Sequence, residues 1–135
     1  MKVVVNKCYG GFGLSDKAVE MIMNRKGLGC FRYDWDVKNY RFVKLQSVQD
    51  AYMVYYLTKD MGEEFHQKDF PNDYNWYGGN IERTDIDLIE VVGELGEEAN
   101  GRFAKLVVVE IPDDINWYID EHDGWEIVRE EHRSW

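Results

Sequence analysis

Cysteine is scarce in this chain: among 135 residues only Cys8 and Cys30 occur. Neither has a second thiol or a histidine at metal-ligand spacing, so the pattern excludes a structural zinc site. Both are expected to be reduced, with Cys8 a small core residue of a strand. Histidine is also rare, at His66, His122 and His132. His122 neighbours a turn rich in acids, where a solvated side chain is expected. It could pair with Asp120 or Asp123, but no Ser-His-Asp, Cys-His or glycine-elbow pattern accompanies it. No apolar run approaches the roughly 18 residues of a membrane helix. The apolar stretch at Val3-Val4-Val5 is too short for a signal peptide. These absences predict a soluble protein of the cytosol in which it is made, with no membrane association and no cofactor.

Apolar and aromatic residues are plentiful, at 44% and 15%. That composition excludes a wholly disordered chain. The length suits one domain, and a domain of this size buries roughly two-thirds of its unfolded surface.

Positive charge is what the second half lacks. Residues 1–70 carry 11 basic and 9 acidic residues, whereas residues 71–135 carry 5 basic and 17 acidic. The net charge is −10. Such a half repels phosphate backbones, so direct binding of double-stranded nucleic acid is not expected. The acids are either a solubilising surface or a face that engages a basic protein.

Local signals predict the elements in order. Residues 2–9 read as a strand, because Val3, Val4 and Val5 are β-branched and glycine follows. Ser15 is a candidate N-cap for a helix to about Lys26, with Ala18, Val19, Ile22 and Met23 at helical spacing and Gly27 as its left-handed cap. Residues 28–38 read as loop or irregular strand, and Tyr40–Leu45 as a strand. The run Tyr52–Leu57 is apolar on both parities and suggests a strand buried on both faces, although a short helix from Ser47 is open. About twenty loop-like residues follow, 59–80. Thr84 is the candidate N-cap of the clearest helix, with Asp87 as a weak capping box and Asn100-Gly101 as its end. Gly93 and Gly96 weaken that helix by up to about 1 kcal/mol each. Residues 103–111 are apolar on both parities, which predicts a central strand, stopped by Pro112. A hairpin, 115–121 against 126–132, turns at Asp123-Gly124 and pairs Ile119 with Val128, Tyr118 with Arg129 and His122 with Trp125. The sum is a single α+β domain over residues 1–135: a largely antiparallel sheet of about five strands, two helices and a C-terminal hairpin.

Two segments could carry chemistry. The first is Tyr9-Gly10-Gly11-Phe12-Gly13-Leu14-Ser15, a strand running through a glycine turn into a helix start. Free N–H groups at such a turn can bind phosphate or carboxylate. It is neither a P-loop nor the dinucleotide fingerprint, and its glycines could equally serve backbone packing. The second is Tyr74, Trp76 and Tyr77 with Arg83. Aromatic faces stack on bases and arginine pairs phosphate. The same rings could fold back as a satellite core or form a subunit interface.

Asn6-Lys7-Cys8-Tyr9-Gly10-Gly11-Phe12-Gly13-Leu14-Ser15 resembles the opening of a family of small phage and prophage accessory proteins. Ile81–Asp85, Gly93–Gly96, Val109–Asp114 and the stretches from Asp123-Gly124 to His132–Trp135 are similar too. The resemblance implies a phage accessory setting in a host cytosol and no catalytic residue. Such proteins often blunt host defence, by sequestering a nucleotide signal, by covering a host nuclease, or occasionally by enzymatic cleavage.

Three functions are therefore in play. One is a non-enzymatic binder of an anionic, nucleotide-like small molecule, held between Tyr9, Gly10, Gly11, Phe12, Gly13 and Ser15 and the groups Tyr74, Trp76, Tyr77 and Arg83. Self-association would let two chains share the pocket. The second is an acidic nucleic-acid mimic that binds a basic host defence protein. The third is a small nucleotide-cleaving enzyme. On the first reading, Gly11→Val and Arg83→Ala should each abolish ligand binding and leave the fold intact, which calorimetric titration and a melting curve would check together.

Overall fold

A computed structural model describes residues 1–49, 51 and 53–135. The elements run β1 (Lys2–Asn6), α1 (Asp16–Arg25), β2 (Phe31–Asp36), β3 (Arg41–Lys44), β4 (Val54–Leu57), β5 (Glu64–His66), β6 (Asn75–Trp76), α2 (Ile86–Leu95), β7 (Leu106–Glu110), β8 (Tyr118–His122), β9 (Trp125–Glu130) and β10 (Arg133–Ser134). The class is α+β, and among the described residues every strand pairing is antiparallel. The strands are shared among three sheets, ordered β1-β7, β10-β9-β8 and β5-β3-β2-β4-β6. Contacts divide the chain into two compact units, Met1–Ile22 with Gly78–Trp135, and Met23–Tyr77.

In the first unit β1 lies against β7, with Val3 opposite Val109 and Val5 opposite Val107. Val3, Val5, Ile111 and Val128 form one core, covered by Ile115, Trp117, Ile119 and Trp135. Burying each of these aliphatic side chains contributes roughly 1.5–3 kcal/mol. Trp135 is drawn in by reciprocal backbone bonds with Val128, at 2.9 and 2.7 Å. Helix α2 packs on both β1 and β7, burying Leu88, Val91 and Val92.

Strand β7 corrects an expectation. Its valines predict a central strand, yet among the described residues it has one neighbour, β1. The apolar residues on both parities reflect two covered faces, α2 on one and the Val3–Val128 core on the other. Burial of faces and pairing of edges are separate constraints, and the sequence pattern reports only the first. The strand is also shorter than residues 103–111, and Phe103 is exposed.

Helix ends follow capping chemistry. Ser15 Oγ accepts from the Ala18 N–H at 3.1 Å, as expected for an N-cap. At the other end of α1, Gly27 and Leu28 donate back to Asn24 and Met23, which is a Schellman closure. The α2 cap is Asp85 rather than Thr84: its carboxylate accepts from the Asp87 and Leu88 N–H groups at 2.9 and 3.1 Å. An ionised acceptor at the positive helix end outcompetes a hydroxyl one residue earlier. The helix also stops at Gly96, after which a 3-10 turn runs over Gly96–Ala99. The hairpin has the register read from the alternation, with Tyr118 opposite Arg129, Ile119 opposite Val128 and His122 opposite Trp125. β1 ends at Asn6, so Cys8 lies beyond it, half-buried and free of any disulfide, as is Cys30.

The second unit is built on aromatic side chains. β2 is a regular strand rather than a loop, because Phe31, Tyr33 and Trp35 alternate onto one packed face. Tyr33, Phe42, Leu57 and Phe65 form its core. Phe42 stacks on Phe65 at 5.1 Å and meets Tyr55 edge-on at 5.1 Å. Residues 59–80 are mostly not loop. They hold β5, β6 and three 3-10 turns, and Phe65 and Phe70 return to the core. Tyr52, at the start of the expected strand Tyr52–Leu57, lies outside the described residues.

Tyr33 also anchors residues 60–62. Its hydroxyl donates to the Gly62 carbonyl at 2.8 Å and accepts from the Met61 N–H at 2.9 Å. Lys44 Nζ reaches Asp60 at 2.7 Å. That bond, then the Gly62 N–H, holds the Asp60 carboxyl below its ordinary 3.8. The same bond raises Lys44 above 10.5, and burial pushes the Tyr33 phenol above 10.0. A carboxyl depressed on folding adds stability above its unfolded value and loses it as pH falls through the folded value. A lysine or phenol raised on folding adds stability below its unfolded value and loses it as pH rises through the folded one. Urea unfolding of the full chain should therefore weaken below pH 3.8 and above pH 10.0. Lys44→Met should flatten part of both limbs. Limbs identical to wild type would remove the Lys44–Asp60 pair as their source.

Candidate functional site

The predicted site residues fall in both compact units. Tyr9, Gly10, Gly11, Phe12, Gly13, Ser15 and Arg83 belong to the first, Tyr74, Trp76 and Tyr77 to the second.

In the first unit the glycine turn is a joint where three turns touch. A Cβ on Gly10 would sit 2.2 Å from the Phe103 Cβ and carbonyl oxygen. A Cβ on Gly124, whose φ is +91°, would sit 2.3 Å from the Gly11 nitrogen. Only glycine permits these approaches. The Gly101 N–H donates to the Gly13 carbonyl at 2.9 Å. Ser15 completes the joint: its N–H donates to Ala99 at 2.9 Å and its hydroxyl to the Glu98 carbonyl at 2.7 Å. Of the turn's own glycines, Gly10 serves backbone packing. The Gly11 N–H points back to the Cys8 carbonyl at 3.5 Å; the space a Gly11 Cβ would occupy is open, but its φ of +93° strains any side chain, so Gly11→Val should not leave the turn intact as first expected.

Arg83 is held elsewhere than a ligand phosphate would require. Its two terminal nitrogens grip the Glu126 carboxylate at 2.6 and 2.9 Å. Its guanidinium lies 3.6 Å from the centre of the Phe12 ring. Glu126 is only 5% exposed, and its Oε1 also accepts the Asn6 N–H at 2.8 Å. Asn6 is fully buried, and its side chain donates to Cys8 and Gly124 carbonyls and accepts from the Lys105 N–H. Lys7 Nζ caps the Glu126 carbonyl at 2.8 Å. Burial pushes that ammonium below its ordinary value, an effect the Glu126 charge partly opposes.

What the joint leaves exposed is aromatic. The Tyr9 ring is 71% exposed and leans on Trp125, with centroids 5.2 Å apart. Phe103 is exposed beneath the Arg102 guanidinium, 5.2 Å from its ring centre. Sequence reasoning named Tyr9 but missed Trp125, Phe103 and Arg102. The signal for Trp125 was present in the hairpin register, which puts it beside the turn; nothing local marked Phe103 or Arg102.

In the second unit Trp76 sits in β6, paired with Tyr56. Tyr74 and Tyr77 are exposed, and the Lys59 ammonium lies 5.3 Å over the Tyr74 ring. A separate cleft of about 460 Å3 opens beside Trp35, Asp36, Val37 and Lys38. There the Asp36 carboxylate accepts from Asn39, Arg41 and the Lys38 N–H, and the Asn39 and Arg41 bonds hold it below the ordinary carboxylate value. Among the described residues no cluster of His, Cys, Asp or Glu suits a metal ion, and no helix is long and apolar enough to cross a membrane.

Set against family models, curated proteins and solved structures, the chain matches none. The site's chemistry therefore rests on its own geometry.

The Arg83–Glu126 pair changes one expectation. Removing Arg83 would strand a buried carboxylate, so Arg83→Ala should not leave the fold intact. A loss of about 3–5 kcal/mol in urea-derived stability at neutral pH is expected. The double replacement Arg83→Met with Glu126→Leu should recover much of it, since both charges leave together. A single variant as stable as wild type would contradict the buried pair.

Proposed function

We propose that the chain is a phage-type accessory protein that binds an anionic, nucleotide-like small molecule without turning it over, and so withdraws a signal from host defence. The observation that carries this reading is the exposed Tyr9 ring, set against a half-buried Trp125 and standing on the glycine turn. Stacking a base on such a ring contributes about 1–3 kcal/mol and tolerates any base. Arg102, adjacent in the chain to the Phe103 that packs on Gly10, takes the phosphate-pairing role first assigned to Arg83. Its guanidinium has no carboxylate partner among the described residues. The exposed Tyr74 and Tyr77 rings, with Lys59, add a second aromatic and cationic surface to the same reading. The phage setting is supported by the resemblance of residues 6–15.

A thermal-shift screen over cyclic di- and trinucleotides, ADP-ribose derivatives and mononucleotides tests this. A ligand at about 100 times its dissociation constant should add roughly 2.7 kcal/mol. Tyr9→Ala and Arg102→Ala should each reduce the shift while the unliganded melting point stays near wild type. Recovery of the ligand at unchanged mass supports sequestration, and a changed mass means an enzyme. No shift with any ligand would overturn the reading in favour of the acidic, protein-directed inhibitor.

A further inference from the structure

The hydrogen bonds of β7 divide by parity. The Lys7 N–H donates to Lys105, and the Ile111 N–H donates to Met1. Odd-numbered residues of this strand therefore face β1, and even-numbered residues face outward. Of the outward groups, the Leu106 N–H is taken by Asn100 Oδ1 at 2.8 Å. The N–H and C=O of Val108 and Glu110 have no partner among the described residues. Residues 106–109 of this edge contain no proline and no charge, and the ladder beside them runs without a bulge.

We propose that this edge pairs with the same edge of a second copy, joining two β1-β7 sheets into one four-stranded antiparallel sheet about a twofold axis. The open groups select the register. Val108 of one copy lies opposite Glu110 of the other, so each N–H meets a free carbonyl, and Val109 faces its own counterpart on the axis. Pairing ends where the next step would put Leu106 opposite Pro112: Leu106 has already given its N–H to Asn100, and proline has none. The open edge is thus as long as this register needs. Charge permits the contact despite the net −10, because the only ionisable residue in the pairing, Glu110, sits opposite Lys2 across the existing ladder. Three valines in succession, Val107–Val109, supply β-branched cross-strand neighbours that favour such pairing. A two-stranded ribbon is itself marginal, and a four-stranded sheet is not.

The test is light scattering coupled to size exclusion over a concentration series. Wild type should reach twice the mass of one chain. Val108→Pro and, separately, Glu110→Pro remove outward N–H groups without touching the bonds to β1. Each should stay at single mass with a near wild-type melting curve. A wild type that remains at single mass, or a folded proline variant that still doubles, would overturn the proposal. Hydrogen exchange on wild type decides the matter should the variants not fold. Protection of the Val108 and Glu110 amides that grows with concentration supports the pairing. Rapid exchange at every concentration refutes it.

Discussion

The bidentate grip of Arg83 on Glu126 is the interaction on which the first unit depends. Strand β1 needs partners on both edges because it is wholly buried from Val3 to Asn6. β7 serves one edge. The other has no strand among the described residues: the Val4 N–H goes to the Arg83 carbonyl and the Asn6 N–H to the Glu126 carboxylate. A buried carboxylate is favoured there while a cation neutralises it, and Arg83 does so with two bonds, its guanidinium lying over the Phe12 ring. Asn6 extends the same network to Cys8, Gly124 and Lys105, tying the end of β1 to the hairpin turn and to the start of β7. In a low-dielectric interior such a network is stable only when complete.

The glycine turn is a consequence of that closure. With Gly124 tied to Asn6, the hairpin turn is drawn against residues 9–11, and the fit leaves no room for a side chain on Gly124 or Gly10. The resulting joint pushes Tyr9 outward onto Trp125. The aromatic surface proposed to bind a nucleotide is thus a by-product of how the turns pack, and the glycines contribute by position more than as donors to a ligand.

The second unit reaches order by a different route. It has few aliphatic side chains, and its rings do the packing, edge to face and stacked, around Phe42. Ring pairs contribute about 0.5–1.5 kcal/mol each beyond their buried area. The Tyr33 hydroxyl and the Lys44–Asp60 bond then fix residues 60–62. That is why a segment with loop composition carries regular structure.

Local chemistry was readable wherever cause and effect lie a few residues apart. The Ser15 cap, the Gly27 closure and the hairpin register all follow from neighbours, since a cap needs three residues and a two-residue turn sets the alternation beside it. The α+β class followed from the same short-range periods. The helix cap at Asp85 was missed by one residue, because hydroxyl and carboxylate compete there and only geometry picks the winner. What the sequence alone could not supply is who meets whom at long range. Arg83 and Glu126 are 43 positions apart, and the Asn6 N–H and Glu126 carboxylate 120. Apolar character on both parities told that β7 is covered on its faces, but not that one edge is open, because side chains record faces while backbone groups, alike in every residue, record edges. The sequence determined the elements and their local ends; tertiary structure alone decided which charge is buried, which ring is exposed and which strand edge is left open among the described residues.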